Sequence, residues 1–256
     1  MVVSVKHKLL TVFNKMQNKK LDSKHCYYMY GKHPVFSALN NPKRQIDNIL
    51  CTREIFDTNK KLIGTRSYEI VNNDILSKLL ENHTHQGIAA KIRPIFSYNL
   101  EDIDITNPKC KIAILDQITD TQNIGAIIRS AAAFDINAII LPQDNSPNES
   151  GGIAKAACGT LELIPIIKVT NLRSCMNYLK KHGFWIIGLT GSANDYFTDK
   201  LISDKIVLVF GSEDKGIRRL VAETCDYLAK IPISQRVESL NVSNAASIIF
   251  HSLHNF

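Results

Sequence analysis

The sequence lacks any long apolar segment. None of its hydrophobic runs approaches the roughly 20 residues that a membrane-spanning helix requires. Its 256 residues are 45% hydrophobic and 21% charged, which is typical of a soluble globular protein and enough for one large core or, as we expect, two domains. We therefore expect no membrane partner.

The first 20 residues lack acids and arginine but hold five lysines. They show neither the uninterrupted apolar core nor the small-residue cleavage site of a secretory signal, and an organellar transit peptide would be richer in arginine. We expect a flexible basic leader over residues 1–24 of a cytoplasmic protein.

The motifs of several enzyme classes are also missing. The six cysteines stand singly, so neither a zinc site nor a disulfide framework is indicated, and we expect reduced, mostly buried thiols. No HExxH sequence, no GxSxG nucleophile elbow and no GxGxxG after the first strand occurs. Metal-dependent hydrolysis and a classical dinucleotide site have little support, and we expect no metal.

Positive charge is concentrated in the first part of the chain. Residues 1–100 carry 16 Lys and Arg against 7 Asp and Glu, a net charge of +9, whereas residues 101–256 carry 15 against 17, a net charge of −2. Clustered positive charge is typical of a polyanion binder, because phosphate contacts supply most non-specific affinity. The alternative is a solubilising surface. We expect a nucleic-acid partner whose binding weakens steeply with salt.

The chain divides into two α/β units. Residues 25–94 form a small module with predicted strands at Ile46–Cys51 and Gly87–Ile92, and His33, His83 and His85 within it are candidates for either substrate contact or a structural role. Residues 95–108 lack periodicity and are rich in Asp and Asn, which predicts a linker.

Residues 109–256 alternate short apolar strands with helices. This pattern predicts a parallel sheet covered on both faces, with ligands at the loops beyond the carboxyl ends of the strands. The predicted strands are Lys111–Leu115, Ala138–Leu141, Leu161–Val169, Phe184–Leu189, Lys205–Phe210 and Tyr227–Ile233. The predicted helices are Ile124–Phe134, Gly151–Cys158, Leu172–His182, Gly216–Val221 and Asn241–Leu253.

Two polar loops follow predicted strands of this unit. In the first, Asn123 lies near a helix start, Gly125 allows close backbone approach, and Arg129 follows on the helix; a cap and a surface arginine would explain the same residues. In the second, Gly211 has the spacing of a phosphate-binding loop, but Lys and Ser or Thr are missing at the required places. Glu213 is either a functional carboxylate or an acid at a helix N-terminus.

The most unusual segment covers residues 231–246. It leaves a predicted buried strand, passes through polar residues and enters a helix of small and apolar residues. Ser239, Asn241 and Ser243 supply more side-chain oxygen at that helix start than capping needs. Because a helix N-terminus with free donors is a natural place to hold a ligand, we expect the functional site here.

The three loops occur in fixed order as N-x-G-x-x-x-R, F-G-S-E-x-x-G and I-P-I…S-L-N-V-S-x-A. Together they resemble the SpoU (TrmH) family of RNA ribose 2′-O-methyltransferases over the whole second unit. Gly31–Val35 and His85–Ile88 look like the RNA-binding amino-terminal domain of the RlmB-like branch, which modifies a guanosine in 23S ribosomal RNA.

The resemblance implies a fold and a cofactor. The fold is an α/β, parallel-sheet SPOUT-type domain with a carboxyl-terminal trefoil knot, preceded by a small α/β RNA-binding domain. S-adenosylmethionine (S-adenosyl-L-methionine) would lie against the knot, held by backbone groups around Gly211, Ile231 and Leu240. Family members form a homodimer through the knot region, and the small apolar face of the final helix is compatible with that packing or with an intramolecular core.

The family positions that match Asn123, Arg129, Glu213, Ser239 and Asn241 are catalytic or structurally critical. Arg129 would be the base, although a guanidinium stays protonated at neutral pH. A substrate phosphate would therefore assist, or Arg129 would clamp that phosphate while another acceptor takes the proton. Asn123 and Ser239 would orient Arg129 and the ribose, Glu213 would brace its loop, and Asn241 would fix the knot.

Three functions remain open at this point. The first is methylation of ribosomal RNA, which a folded RNA-binding domain favours. The second is the same chemistry on transfer RNA, and the third is a non-catalytic RNA-binding or ribosome-assembly protein. The presence of all five family residues argues against the third.

Overall fold

The structure, a computed structural model, describes residues 26–97 and 99–254. The basic leader predicted over residues 1–24 lies outside the described residues. Within them, no helix has the length and apolar character needed to cross a membrane. The described chain forms two sheets, of four and seven strands.

The first sheet is mixed, with strand order β1-β4-β2-β3. Its β4 pairs antiparallel with both β1 and β2, and β2 pairs parallel with β3. The strands are β1 Tyr27–Tyr30, β2 Ile46–Cys51, β3 Tyr68–Ile70 and β4 Ile88–Ile92. The helices are α1 Lys32–Asn40, α2 Arg53–Ile63 and α3 Asn73–Leu79.

The second sheet is entirely parallel, as the short apolar strands predicted. Its strand order is β7-β6-β5-β10-β8-β11-β9. Its strands are β5 Cys110–Asp116, β6 Ala138–Pro142, β7 Ile166–Val169, β8 Trp185–Leu189, β9 Asp195–Tyr196, β10 Lys205–Gly211 and β11 Tyr227–Lys230. Its helices are α4 Thr121–Ala133, α5 Gly151–Ala157, α6 Leu172–Lys181, α7 Arg219–Ala222 and α8 Val242–His254.

Two predicted strands were too long. The strand predicted over Leu161–Val169 begins only at Ile166, because residues 160–162 form a 3-10 helix. The strand predicted over Tyr227–Ile233 ends at Lys230 and is largely uncovered, with Ala229 as its one buried residue. Apolar residues beyond Lys230 instead line the loop that leads to α8.

Local signals explain most element boundaries. The side-chain oxygen of Thr52 accepts a hydrogen bond from Ile55 N and starts α2, a helix that the sequence pattern did not predict. Asp120 caps α4 in the same way, so Asn123 is the third residue of that helix rather than its cap. After α3, Glu81 and Asn82 have φ angles of 50° and 62°, a left-handed conformation that does not continue the helix.

The segment between the two sheets packs against the second one. Ser97 pairs with β7, accepting from Lys168 N at 2.8 Å and donating its own N–H to Ile166 O at 2.9 Å. Ile103 is buried in the core beneath α6. The domain boundaries of residues 25–94, 95–108 and 109–256 stay a prediction.

Helix α5 lies between the two units. It packs on α4, where a Cβ on Gly125 would lie 2.7 Å from Ile153 O, so glycine permits the close approach expected there. It also packs on β1, where a Cβ on Gly151 would lie 2.5 Å from Tyr28 O. One helix thus contacts both the first sheet and the helix that carries Asn123 and Arg129.

Candidate active site

The central strands β5 and β10 end side by side, with Asp116 opposite Gly211. The Asp116 carboxylate is fully buried and accepts from Arg218 twice, at Oδ2 from the backbone N–H (2.9 Å) and at Oδ1 from Nε (2.8 Å). Arg218 Nη2 also lies 2.7 Å from Asp116 Oδ1. This pairing ties the far end of the 211–218 loop to the sheet.

The 211–218 loop closes on itself. Ser212 N donates to Gly216 O at 3.2 Å, and Gly216 N donates to Ser212 O at 2.8 Å. A side chain on Gly211 would collide with the backbone of Gly216 and Ile217, so only glycine fits where the loop folds over the strand end. The fold of this loop leaves the Glu213 side chain free to reach neighbouring elements.

Glu213 joins two other predicted site residues. Its Oε1 accepts from Asn123 Nδ2 at 2.9 Å and from Asn241 Nδ2 at 2.7 Å, and Asn241 Nδ2 lies 2.9 Å from Asn123 Oδ1. The same oxygen is 3.4 Å from Val242 N, at the start of α8. We call Asn123, Glu213 and Asn241 the polar cluster; it connects residues that are distant in sequence.

The polar cluster places Glu213 at the start of a helix, which is one of the two positions considered for it. The carboxylate does lie at a helix N-terminus, but at that of α8 rather than of the helix that follows it in sequence. Asn241 caps the same helix, because its Oδ1 accepts from Ser243 N at 2.9 Å and from Ser243 Oγ at 2.5 Å. Glu213 and Asn241 therefore both have a structural role at the start of α8.

Residues further along helix α8 fix it against the rest of the second unit. Ser247 Oγ lies 2.6 Å from Ser130 Oγ on α4, and the Phe250 ring packs edge-on against Phe210 of β10, with centroids 5.6 Å apart. Both contacts hold the start of α8 beside α4 and β10. The position of Asn241 is thus set by packed, buried side chains.

Arg129 and Ser239 are not part of the polar cluster. Arg129 is exposed on α4, and within residues 26–97 and 99–254 it has no hydrogen-bond or ion-pair partner. Ser239 is exposed in the loop before α8 and likewise bonds to no described residue. Their catalytic roles stay predictions, as do those of the polar cluster.

A pocket of about 400 Å³ opens beside the polar cluster. All three residues predicted to hold a cofactor lie on its wall, together with Glu213 and Ser239; the three are Gly211, Ile231 and Leu240. Further lining residues come from β8 and the loop after it, from β9 and β10, and from the 231–240 loop and the start of α8; they include Leu189, Gly191, Tyr196, Phe210, Glu238 and Val242. The wall combines apolar side chains with the carboxylates of Glu213 and Glu238 and the ammonium group of Lys230.

The sequence analysis missed the Asp116–Arg218 pair and Tyr196. Asp116 is a single acid at the end of an apolar strand, which is a signal that could have been used. Its partner Arg218 could not be identified without the fold. Tyr196, from the short β9, is half exposed on the pocket wall, with Lys230 Nζ 5.2 Å from its ring centroid.

His85 in the first unit has a structural role. It is buried, its Nδ1 accepts from Gly87 N at 3.0 Å, and its Nε2 lies 3.1 Å from Ser77 Oγ. Burial, and then the charge of Lys155, lowers its pKa, so the ring is neutral. His83 instead stacks on Tyr30, while His33 is exposed.

The six cysteines are unpaired thiols, and three of them are buried. Burial raises the pKa of Cys110 to about 11 and those of Cys175 and Cys225 to about 12. These three thiols are protonated at neutral pH and are poor nucleophiles.

Comparison with known proteins identifies both units. Residues 111–251 match the SpoU rRNA Methylase family, and residues 28–98 match the RNA 2′-O ribose methyltransferase substrate binding family. The chain is 37% identical to the 23S rRNA (guanosine-2′-O-)-methyltransferase RlmB of Escherichia coli K12, over 86% of this chain and 94% of the relative. It is 34% identical to the protein of the same name from Vibrio vulnificus, over 86% and 93%.

Solved structures show the same fold. The SpoU methyltransferase AviRb of Streptomyces viridochromogenes, in complex with AdoMet, matches with a TM-score of 0.80 at 21% identity, over 93% of this chain and 92% of that one. The AdoMet-bound rRNA methyltransferase of Sinorhizobium meliloti matches with a TM-score of 0.78 at 23% identity, over 91% and 88%. The agreement of family models, relatives and fold shows that the chain belongs to the SpoU rRNA methylase family.

Proposed function

We propose that this protein transfers a methyl group from S-adenosylmethionine to the ribose 2′-hydroxyl of a guanosine in 23S ribosomal RNA. The observation that carries the proposal is the polar cluster, which joins the three loops at the rim of the pocket. It is supported by relatives that bear this activity in their names and align over 86% of the chain.

The pocket fits the proposed cofactor. Apolar side chains such as Leu189, Ile231 and Leu240 suit an adenine ring, and the open space around Gly191 leaves backbone groups accessible. The carboxylates of Glu213 and Glu238 outnumber the one ammonium group on the wall, that of Lys230, which favours a cationic ligand, and a sulfonium is one. When bound, S-adenosylmethionine supplies the electrophilic methyl group.

The chain's own residues contribute orientation and charge. The polar cluster fixes the start of α8 and the 211–218 loop against α4, so the reacting groups would be held in a set geometry, a contribution worth about 7–11 kcal/mol in favourable cases. Arg129 is free to meet the RNA in one of two roles. It clamps a phosphate next to the target ribose while another acceptor takes the hydroxyl proton, or it first gives a guanidinium proton to that phosphate and then takes the hydroxyl proton itself. Ser239 orients the ribose.

The first unit supplies RNA affinity in this proposal. Residues 25–94 carry 10 Lys and Arg against 6 Asp and Glu, a net charge of +4, and residues 28–98 match a substrate-binding family. We assign residues 25–94 to substrate binding, 95–108 to the connection and 109–256 to methyl transfer. A cytoplasmic location follows, because ribosomal RNA is made and assembled there.

We also infer a carboxyl-terminal trefoil knot and a homodimer formed through it. An apolar groove between the 231–240 loop and α8 adjoins the pocket and shares Ile233 and Val237 with its wall. Ile233, Val237 and Ile248 on it are 40%, 50% and 45% exposed, which is unusual for large apolar side chains unless a partner covers them. A second copy of the same chain is the partner that the family relationship supports.

The test is transfer of labelled methyl to unmodified 23S rRNA and transfer RNA in separate reactions, followed by nuclease mapping. We expect a single 2′-O-methylated guanosine in 23S rRNA. Methylation of transfer RNA alone would keep the chemistry and overturn the substrate. If S-adenosylmethionine binds but neither these RNAs nor ribosomal precursor particles are methylated, the protein is a non-catalytic RNA binder.

A further inference from the structure

Three charged side chains meet where the first unit contacts the second. The Arg44 and Glu149 side chains are fully buried, and that of Glu162 is 3% exposed. Arg44 Nη1 lies 2.5 Å from Glu149 Oε1, and Arg44 Nη2 lies 2.5 Å from Glu162 Oε1. Arg44 Nε donates to both oxygens of Glu162 at 3.1 Å. We call these three residues the Arg44 joint.

The remaining hydrogen-bonding groups of the Arg44 joint are also engaged. Arg44 Nη1 donates to the backbone oxygen of Arg93 at 2.9 Å. The two carboxylates accept four more hydrogen bonds: from Tyr27 Oη (2.7 Å), Asn41 Nδ2 (2.7 Å), Ile95 N (2.7 Å) and Phe96 N (3.0 Å). A buried ion network with all its partners in place has one favourable geometry, and loss of one member leaves a charge uncompensated.

The position of the Arg44 joint links RNA binding to the reacting groups. Arg44 belongs to the first unit, whereas Glu149 precedes α5 and Glu162 follows it. Helix α5 packs in turn on α4, which carries Asn123 and Arg129. The joint therefore fixes the segments on both sides of α5, which lies between the first unit and α4.

We propose that the Arg44 joint sets the register of the RNA, holding the first unit at one distance and angle from α4 so that only one ribose reaches Asn123 and Arg129. This inference rests on the proposed function. An RNA gripped by two surfaces of one rigid body presents a single nucleotide, whereas two loosely connected surfaces would present several. Arg44, Glu149 and Glu162 are positioning residues, since none of them lines the pocket beside the polar cluster.

Glu162→Gln is the most informative variant, because its matched control removes the same charge. Glu101→Gln neutralises an exposed carboxylate in the segment between the units, and Glu101 makes no hydrogen bond or ion pair with the Arg44 joint. Both variants gain one positive charge, so their non-specific RNA affinity rises equally. Any loss seen with Glu162→Gln alone then comes from the joint and not from charge.

Methyl transfer is measured on a 23S rRNA fragment that spans both units and on an oligonucleotide too short to reach the first unit. We expect Glu162→Gln to lower kcat/KM on the long RNA by about 10- to 100-fold, through misplacement of the ribose, and to methylate neighbouring riboses. On the short oligonucleotide its kcat/KM should equal that of Glu101→Gln. A merely structural role would lower activity on both RNAs and leave the methylated position unchanged.

Hydrogen–deuterium exchange of the same variants reports on the joint without activity. In Glu162→Gln, and more strongly in Arg44→Met, we expect faster exchange in residues 93–97 and 149–163, with residues 242–254 unchanged. If Arg44→Met fails to fold, the milder variant still gives the comparison. Unchanged exchange in Glu162→Gln would show that the joint does not hold the units together.

Faster exchange with an unchanged methylation site and efficiency on the long RNA would also overturn the proposal. Failure of the proposed function would look different, because the wild-type protein itself would then methylate no RNA. In that case, photo-crosslinking of the long RNA still tests register: we expect one set of crosslinked nucleotides in Glu101→Gln and a broader set in Glu162→Gln. Identical sets would refute the inference.

Discussion

Glu213 Oε1 lies 2.7 Å from Asn241 Nδ2, so an acid in the loop after β10 holds the residue that starts α8. The same oxygen accepts from Asn123 on α4. Asn123 precedes Glu213 by 90 residues and Asn241 follows it by 28, yet all three segments meet at one carboxylate oxygen. The shape of the pocket rim therefore depends on a side chain that could equally have been a simple surface acid.

Replacing Glu213 by Ala tests the polar cluster. The change leaves the side-chain amides of Asn123 and Asn241 without their shared acceptor, so we expect the loops to separate and affinity for S-adenosylmethionine to fall about ten-fold or more. Calorimetric titration with the cofactor measures this. Asp214→Ala removes the neighbouring exposed carboxylate of the same loop and should bind as the wild type does; equal losses in both variants would mean that charge alone is responsible.

Much of this arrangement could be predicted from local patterns. Strand β2 has the predicted bounds, and six of the seven parallel strands follow from apolar runs, whereas the two-residue, exposed β9 was not predicted. Helix α2 was missed although Ile55, Phe56 and Ile63 recur at the spacing of one helical face and Thr52 supplies a cap. These local signals were sufficient to predict the helix.

The long-range pairings could not be predicted in the same way. Asp116 and Arg218 are 102 residues apart, and Arg44 is 118 residues from Glu162. Nothing in the surrounding residues marks Arg44 as buried, because most arginines are exposed. Such partners are specified by the packing of whole elements, which a single sequence does not display.

Arg218→Met tests how the 211–218 loop is fixed. The variant leaves the fully buried Asp116 carboxylate with only the backbone N–H of residue 218, and hydrogen bonds to a charged group contribute about 1.5–3 kcal/mol. We expect a loss of that size in the free energy of unfolding, measured by urea denaturation. Arg219→Met is the matched control: its side chain is 78% exposed and pairs with Glu223 at the surface, so its loss should stay below about 1 kcal/mol.

Arg129→Met tests the reacting face of α4. Because Arg129 is exposed and bonds to no described residue, the unfolding free energy and the affinity for S-adenosylmethionine should stay near wild type. We expect kcat for methyl transfer to fall about 100-fold or more. Arg173→Met, at an exposed position of α6, should retain activity. Retained turnover in Arg129→Met would exclude the assigned role.

Arg129→Lys separates the two roles proposed for this side chain. A lysine keeps the positive charge but cannot form the bidentate contact of a guanidinium, so a phosphate clamp predicts partial activity with a raised KM for RNA. A proton acceptor predicts instead a rate that rises with pH, because an amine deprotonates more readily than a guanidinium. Steady-state kinetics between about pH 7 and pH 10 distinguish these outcomes.

Gly125→Ala tests the close packing of α4 on α5. The added methyl group would lie 2.7 Å from Ile153 O and 3.0 Å from Ala157 N, so the helices must separate at a cost of about 1–3 kcal/mol. Gly152→Ala adds a methyl group whose nearest contact is Thr121 Oγ1 at 3.3 Å. Because alanine has a higher helix propensity than glycine, which offsets this crowding, the free energy of unfolding should fall less in Gly152→Ala. Equal unfolding free energies for the two variants would contradict this account.

Tyr27→Phe tests the electrostatics of the contact between the units at alkaline pH. Burial, followed by the charge of Glu149, raises the pKa of Tyr27 well above 10.0, so the folded protein keeps the phenol protonated where the unfolded chain begins to lose its proton. The stability that Tyr27 contributes is therefore complete below about pH 10 and is lost as the pH rises through the folded pKa.

At about pH 8 the Tyr27→Phe variant should be less stable than the wild type by about 1.5–3 kcal/mol, because the hydrogen bond to Glu149 is missing. This difference should shrink between about pH 10 and pH 11. Urea denaturation at each pH measures it, with Tyr178→Phe, at an exposed position, as the control. A difference between Tyr27→Phe and wild type that stays constant across this range would show that the phenol is not held protonated by its surroundings.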